Sequence, residues 1–271
     1  MELYIKKQGI TINTKDYGLE CVKFRPQSVL HNHQSETIDG QDELLITNTT
    51  FGPRDLQASF LIEGDNHIDL ELLISELHML FATKEEITLI DSRQPGKQWK
   101  VVVNSVFDVD RVNPYTGTYD LSFLSPRAYC ESLGTTLDPF TFDSDLWQIG
   151  MNLPADRELI YRHSTNRFEI YNAGIPILPK NRFPLRILFK GTSTNLAIRN
   201  VTTDEIFTYN GSTAVNDTIL LDGIQHFKNS SNIFAYTNHK VISLMTGWNQ
   251  FEITGTSGSF EIIFDFRFYY L

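Results

Sequence analysis

The sequence predicts a mainly β protein: an N-terminal α+β domain, a β-sheet or barrel carrying one helix, followed by a C-terminal antiparallel β-sandwich. Three observations carry this. Residues 56–63, LQASFLIE, alternate Leu56, Ala58, Phe60 and Ile62 with Gln57, Ser59, Leu61 and Glu63, the period of two expected of a half-buried strand. One stretch only, 68–81, has its apolar residues at helical spacing. From about residue 168 onward, short strand-like runs recur with turn signals between them, the cadence of a sandwich.

Taken in order, residues 26–40 (PQSVLHNHQSETIDG) read as a long exposed loop within the first domain, and LQASFLIE follows as its first clear strand. Leu70, Leu73, Ile74, Leu77, Leu80 and Phe81 then predict an amphipathic helix over about 67–82, with Asn66 as N-cap and Asp69 in the capping-box position. WKVVVNSVF (99–107) and YDLSFLS (119–125) supply further strands. Residues 131–150 carry the boundary signal. ESLGTT is polar and contains glycine, and the acidic run DPFTFDSD follows, so an exposed connector is expected there between domains 1–134 and 140–271. In the second domain NAGIP (172–176), FKGTST (189–194), TYNGST (208–213), LLDG (220–223) and GTSG (255–258) read as turns. In the last strand, 260–271, the even positions Phe260, Ile262, Phe264, Phe266, Phe268 and Tyr270 form the inward stripe. GTSG is expected to join that strand as a hairpin to 251–254.

Composition narrows the function. The 271 residues contain 23 Lys and Arg against 33 Asp and Glu, a formal net charge of -10, with no basic run, so surface binding of duplex DNA is not expected. Lys180, Arg182, Arg186 and Lys190 are spread among apolar residues, as on the outward faces of half-buried strands. No apolar run approaches the ~18 residues of a membrane span, and MELYIKK lacks the features of a signal peptide. Two cysteines, Cys21 and Cys130, make neither a disulfide framework nor a zinc site and read as small buried residues in a chain made in reducing cytosol. Five glycosylation sequons, at Asn48, Asn200, Asn210, Asn216 and Asn229, read as polar turn residues.

Three clusters could carry chemistry, and each has a plainer reading. His31, His33 and Glu36 could ligate a metal, but no third ligand has a fixed position. Asp65, Asn66, His67 and Asp69 resemble part of a calcium loop, yet the required glycine and terminal glutamate are missing and helix capping accounts for them. Asp108 and Asp110, two apart, could share a face for acid–base work, while the adjacent Arg111 points to surface pairing. No nucleophile elbow, P-loop, zincin or dinucleotide motif occurs. The expectation is therefore no enzyme, no catalytic residues, no cofactor and no metal. Trp99, Trp147 and Trp248 leave one alternative open, a lectin-like sandwich that stacks a cell-wall sugar on an exposed ring.

The order of features also resembles a known family. LQASFLIEG, the helix IDLELLISELHMLFA, EEITLIDSRQPGKQWKVVV and the ending YDLSFLSPRAYCES, followed by NAGIPILP, ILLDG and LMTGWNQFEITG, are similar to the distal tail protein (Dit) family of long-tailed, non-contractile-tailed phages. The resemblance covers nearly the whole chain and rests on packing and turn motifs. It implies a homohexameric ring at the tail tip, built by the N-terminal domains, with a galectin-like C-terminal sandwich pointing outward. The ring would join the tail tube protein to a tail-associated hub or fibre protein and contact receptor-binding proteins. It also implies a virion location after synthesis in the host cytoplasm, no direct nucleic-acid binding and no membrane insertion. The acidic balance suits a channel through which DNA slides, because negative walls do not hold phosphates.

Overall fold

The computed structural model describes residues 1–40, 42–141 and 145–271. The fold is mainly β, with one α-helix among the described residues, and its strands pair antiparallel. It divides into two units, Met1–Cys130 with Leu271, and Glu131–Tyr270.

In the first unit the strands are β1 (Leu3–Lys7), β2 (Ile10–Asn13), β3 (Leu19–Pro26), β4 (His31–Thr37), β5 (Leu44–Phe51), β6 (Arg54–Glu63), β7 (Ile87–Asp91), β8 (Lys97–Val103), β9 (Asp110–Asn113) and β10 (Thr116–Ser125), with helix α1 (His67–Phe81) between β6 and β7. One curled sheet runs β2-β1-β7-β8-β10-β6-β3, with β9 paired to β10. The curl brings Met1, ahead of β1, close enough for its ammonium to donate to the Cys21 carbonyl in β3 at 2.9 Å. β6 behaves as its alternation requires, burying Leu56, Ala58, Phe60 and Ile62. α1 buries Leu70, Leu77 and Phe81. Phe81 joins an aromatic cluster with Phe60, Phe107 and Phe123, and Tyr119 stacks on Phe60 at 5.0 Å.

Residues 26–40 are exposed as expected, but they are not one loop, because 31–37 is a strand. His31–Thr37 and Leu44–Phe51 pair as an isolated hairpin, a sheet of two strands in which every described residue is exposed. With neither face buried, the hairpin has no reason to show hydrophobic alternation, so its sequence looks like a loop.

The second unit contains β11 (Cys130–Ser132, which begins at the unit boundary), β12 (Arg162–His163), β13 (Arg167–Asn172), β14 (Leu185–Asn200), β15 (Glu205–Thr213), β16 (Thr218–Asp222), β17 (Gln225–Lys228), β18 (Ser231–Asn232), β19 (Gly247–Phe266) and β20 (Tyr269–Tyr270). Two long strands, β14 and β19, are shared by both layers of a sandwich. Their 185–191 and 260–266 halves pair with each other, β14 carrying β16 and β19 carrying β12. Their other halves also pair, and there β14 carries β15 and β19 carries β13. Phe251 of one layer meets Phe264 of the other at 4.8 Å.

Three expected turns are therefore bends inside strands: FKGTST lies in β14, TYNGST in β15 and GTSG in β19. The predicted 255–258 hairpin does not exist. Gly255 takes φ +82, and its backbone packs so tightly that a Cβ there would sit 2.5 Å from the Asn195 carbonyl oxygen. The register slips at this point, so the glycine marks a bulge that bends the strand without reversing it. LLDG does turn, between β16 and β17. The inward stripe holds from Phe260 to Phe268, after which Tyr269 is the buried residue and Tyr270 is half-buried. Arg186 and Lys190 lie outward on β14 as expected, but Lys180 and Arg182 belong to a one-turn 3-10 helix and its cap.

The stretch 131–150 is not an exposed connector over its first part. Glu131, Ser132, Gly134 and Thr136 are buried. Thr136 Oγ1 donates to the Phe264 carbonyl at 2.8 Å, and the Ser132 amide donates to the Phe268 carbonyl at 2.8 Å. Residues 142–144 of the acidic stretch lie outside the described residues.

Candidate functional site

Each chemical candidate has a definite place. His31 and His33 sit on β4 and point to the same side, with ring centroids 6.2 Å apart. Strand alternation puts Glu36 on the other face, so the three do not converge. His31 instead meets Phe51 edge-on at 5.1 Å, and His33 Nδ1 lies 2.9 Å from Thr49 Oγ1. No group of three metal-ligating side chains occurs among the described residues.

Asn66 caps α1, its Oδ1 accepting from the Ile68 and Asp69 amides at 3.0 and 3.1 Å. Asp69 Oδ2 reaches back to the Asp65 amide at 2.9 Å, one residue earlier than the usual capping box. The Asp65–Asp69 cluster is thus spent on the helix start. Asp108 and Asp110 are both exposed, and Asp108 Oδ1 accepts from the Val109 amide. Arg111 pairs with Glu71 on α1 and with neither neighbouring aspartate.

A cleft of about 850 Å³ in the first unit is lined by Glu2, Glu20, Glu63 and Asp65, with Lys15 beside them. Glu2 accepts from the Tyr4 hydroxyl and from Asn13, and with Lys15 nearby these hold its pKa below the usual range. That keeps the group ionised, the opposite of what a general acid needs. Burial pushes the Cys21 thiol up to about 11, which leaves little thiolate at neutral pH.

The tryptophans offer no bare ring. Trp99 and Trp147 are buried, Arg54 lying over the first and Phe140 stacking on the second. Trp248 carries the Arg157 guanidinium 3.9 Å over its ring and Tyr171 beside it at 5.0 Å.

The first unit exposes apolar residues at several places, Val106 and Val112 among them, and two groups lie together on one element. On the hairpin, Leu44, Leu45 and Ile46 are 59%, 50% and 53% exposed. On α1, Ile68, Leu72 and Met79 are 62%, 61% and 77% exposed. The core residues of α1 were legible in the sequence. These outward ones were missed, although they too recur at helical spacing, on the opposite side. These exposed apolar residues of the hairpin and of α1 are what stands out.

Residues 12–125 match the phage tail protein RIFT-related domain family. The crystal structure of the Dit protein of phage SPP1, described as a hub of the adsorption apparatus in phages infecting Gram-positive bacteria, superposes with a TM-score of 0.70 at 14% identity. That match covers 98% of this chain and 99% of the other. Chains of the phage p2 baseplate in its activated conformation, with Sr or with Ca, align over 97% of both chains at 12% identity and a TM-score of 0.43. No curated protein sequence matches the chain.

Proposed function

We propose that this chain, whose residues 12–125 match the phage tail RIFT-related domain, is a siphophage distal tail protein, a structural hub of a phage tail tip. In this reading the first unit forms a homohexameric ring under the tail tube protein. The second unit lies outward and meets the receptor-binding apparatus, and a tail-associated hub or fibre protein continues the tip below. The chain is made in the host cytoplasm, works in the virion and carries out no reaction of its own.

The observation that carries the reading is the likeness to SPP1 Dit from end to end, since both units align in one match. The physical features support it. The charged candidates cap a helix or pair at the surface, and the first unit leaves apolar residues of its helix and hairpin uncovered, as a subunit built for assembly does. The test is a nonsense mutation in the phage gene encoding the chain, with lysates imaged by electron microscopy. Heads without tip-bearing tails are expected. Virions with complete, normal tips would overturn the proposal.

A further inference from the structure

The tryptophans are covered, but one aromatic ring of the second unit is bare. Tyr236 ends a one-turn 3-10 helix, Phe234–Tyr236, that follows β18. It is 62% exposed, and no other ring stacks on it among the described residues. Its neighbour Phe234 is also exposed, yet its ring is occupied, with the His239 ring stacked on it at 4.3 Å and that of His226 at 5.7 Å.

The segment around Tyr236 is polar and uncharged. Residues 229–239, NSSNIFAYTNH, contain no Asp, Glu, Lys or Arg. Of the two lysines that bracket them, Lys228 is tied to Asp217 at 3.1 Å. The side-chain hydroxyls of Ser230, Ser231 and Tyr236, the Asn232 amide nitrogen and the His239 ring nitrogens make no hydrogen bond within the chain among the described residues. They are a set of neutral donors and acceptors left to solvent.

The segment is also fixed in place. The Ile233 amide donates to the His226 carbonyl at 2.9 Å. Asn238 crosses to β15, its Oδ1 accepting from the Thr208 amide at 3.2 Å and its Nδ2 donating to the Ile206 carbonyl at 2.8 Å. Ser230 takes φ +70 in the two-residue turn between β17 and β18, a position where glycine is unstrained, and His239 takes φ +58. Strained residues of this kind cluster at ligand clamps, where they set a surface before the ligand arrives.

We infer that the Tyr236 segment binds a neutral saccharide, one pyranose ring lying with its C–H face on the tyrosine ring and its hydroxyls meeting the free polar groups of 229–239. A pyranose asks for both features, an apolar platform and neutral hydrogen-bonding groups. A charged ligand would find no opposite charge on this segment.

The experiment is saturation-transfer NMR on the full chain, with cellotetraose, maltotetraose, chitotetraose and β-1,4-galactotetraose as probes. One pyranose on one ring should bind with a Kd on the order of 1 mM, within the range of the method. At least one probe should receive saturation, strongest on the protons of one ring face. Tyr236→Ala should weaken binding by about tenfold or more, and Tyr236→Phe, which keeps the ring, should retain it. Tyr115→Ala, which removes an exposed tyrosine of the first unit, should change nothing. Tyr236 is exposed, so unchanged melting of its variants shows the fold intact. No signal from any of the four probes, a signal that survives Tyr236→Ala, or one lost equally in Tyr236→Phe would overturn the proposal. So would a parent that binds no sugar while Tyr236→Ala loses a tail protein from the assembled tip, which would make the segment a protein-docking surface. The saccharide result is independent of the hub reading, because the purified chain is tested apart from the tail.

Discussion

Phe264 is the place where the second unit is most vulnerable. Its side chain is fully buried, with the Phe251 ring centroid 4.8 Å away and that of Phe168 at 5.8 Å, so both layers of the sandwich close on it. Its backbone is fixed on both sides, the amide donating to the Tyr161 carbonyl at 2.9 Å and the carbonyl accepting from Thr136 Oγ1 at 2.8 Å. Held backbone means the site collapses poorly when the ring is removed. Phe264→Ala should therefore fall in the upper part of the range for a buried phenylalanine, about 4 kcal/mol. For a unit of this size that is a fall in melting temperature on the order of 10–15 °C. Phe264→Leu keeps most of the volume and should cost about 1–1.5 kcal/mol. Phe264→Asp should exceed the alanine loss, because an unpaired carboxylate is added to the cavity. Calorimetry of the full chain reads this directly: the transition of the second unit moves and that of the first does not. If Phe264→Ala costs under about 1 kcal/mol, the strand does not face the core and the inward stripe is wrong.

Other consequences follow from particular residues. Gly255→Ala should cost at least ~2 kcal/mol by chemical denaturation, because φ +82 is strained for alanine and the new Cβ meets the Asn195 carbonyl; a neutral change would remove the bulge argument. His226 is fully buried, with Thr237 Oγ1 3.2 Å from Nδ1 and no partner at Nε2, and burial, with His239 nearby, holds its pKa below the ordinary 6.5. The unfolded chain then takes up the proton first as pH falls, so the second unit should lose stability from about pH 6.5 downward, and His226→Phe should flatten part of that slope. His163, lowered by burial as well, adds to that slope. Digestion with a Glu-specific protease should cut first at Glu36 or Glu43 on the exposed hairpin, which trypsin cannot cut because residues 26–53 contain no Lys or Arg; first cleavage elsewhere would mean that the hairpin is covered in the free chain.

The parts of the fold that were legible in the sequence are those where local and tertiary signals agree. β6 shows its buried face because every second residue faces the core, and Asn66 shows the start of α1 because the cap is a contact between near neighbours in the chain. The strand misread as a loop is the one with no buried face. The misread turns share one cause: glycine, asparagine and serine mark tight turns and strand bulges alike, and only the long-range pairing of β14 with β19 separates the two. Ser132 and Thr136 look like linker residues, yet they are buried because backbone carbonyls more than 100 positions away accept from them. The outward apolar residues of α1 were hidden for a similar reason. One apolar stripe is enough to identify a helix, and the second, Ile68–Leu72–Met79, becomes visible only once the core has claimed the first.

The central claim is that this chain is a hub at the tail tip, and its most direct test is its position in the particle. Intact virions of the encoding phage, labelled with gold-conjugated antibody against the purified chain and imaged by electron microscopy, should carry label only at the distal end of the tail, at the level of the tip. Label along the tube, on the head, or absent from tips opened enough to expose the ring would contradict it.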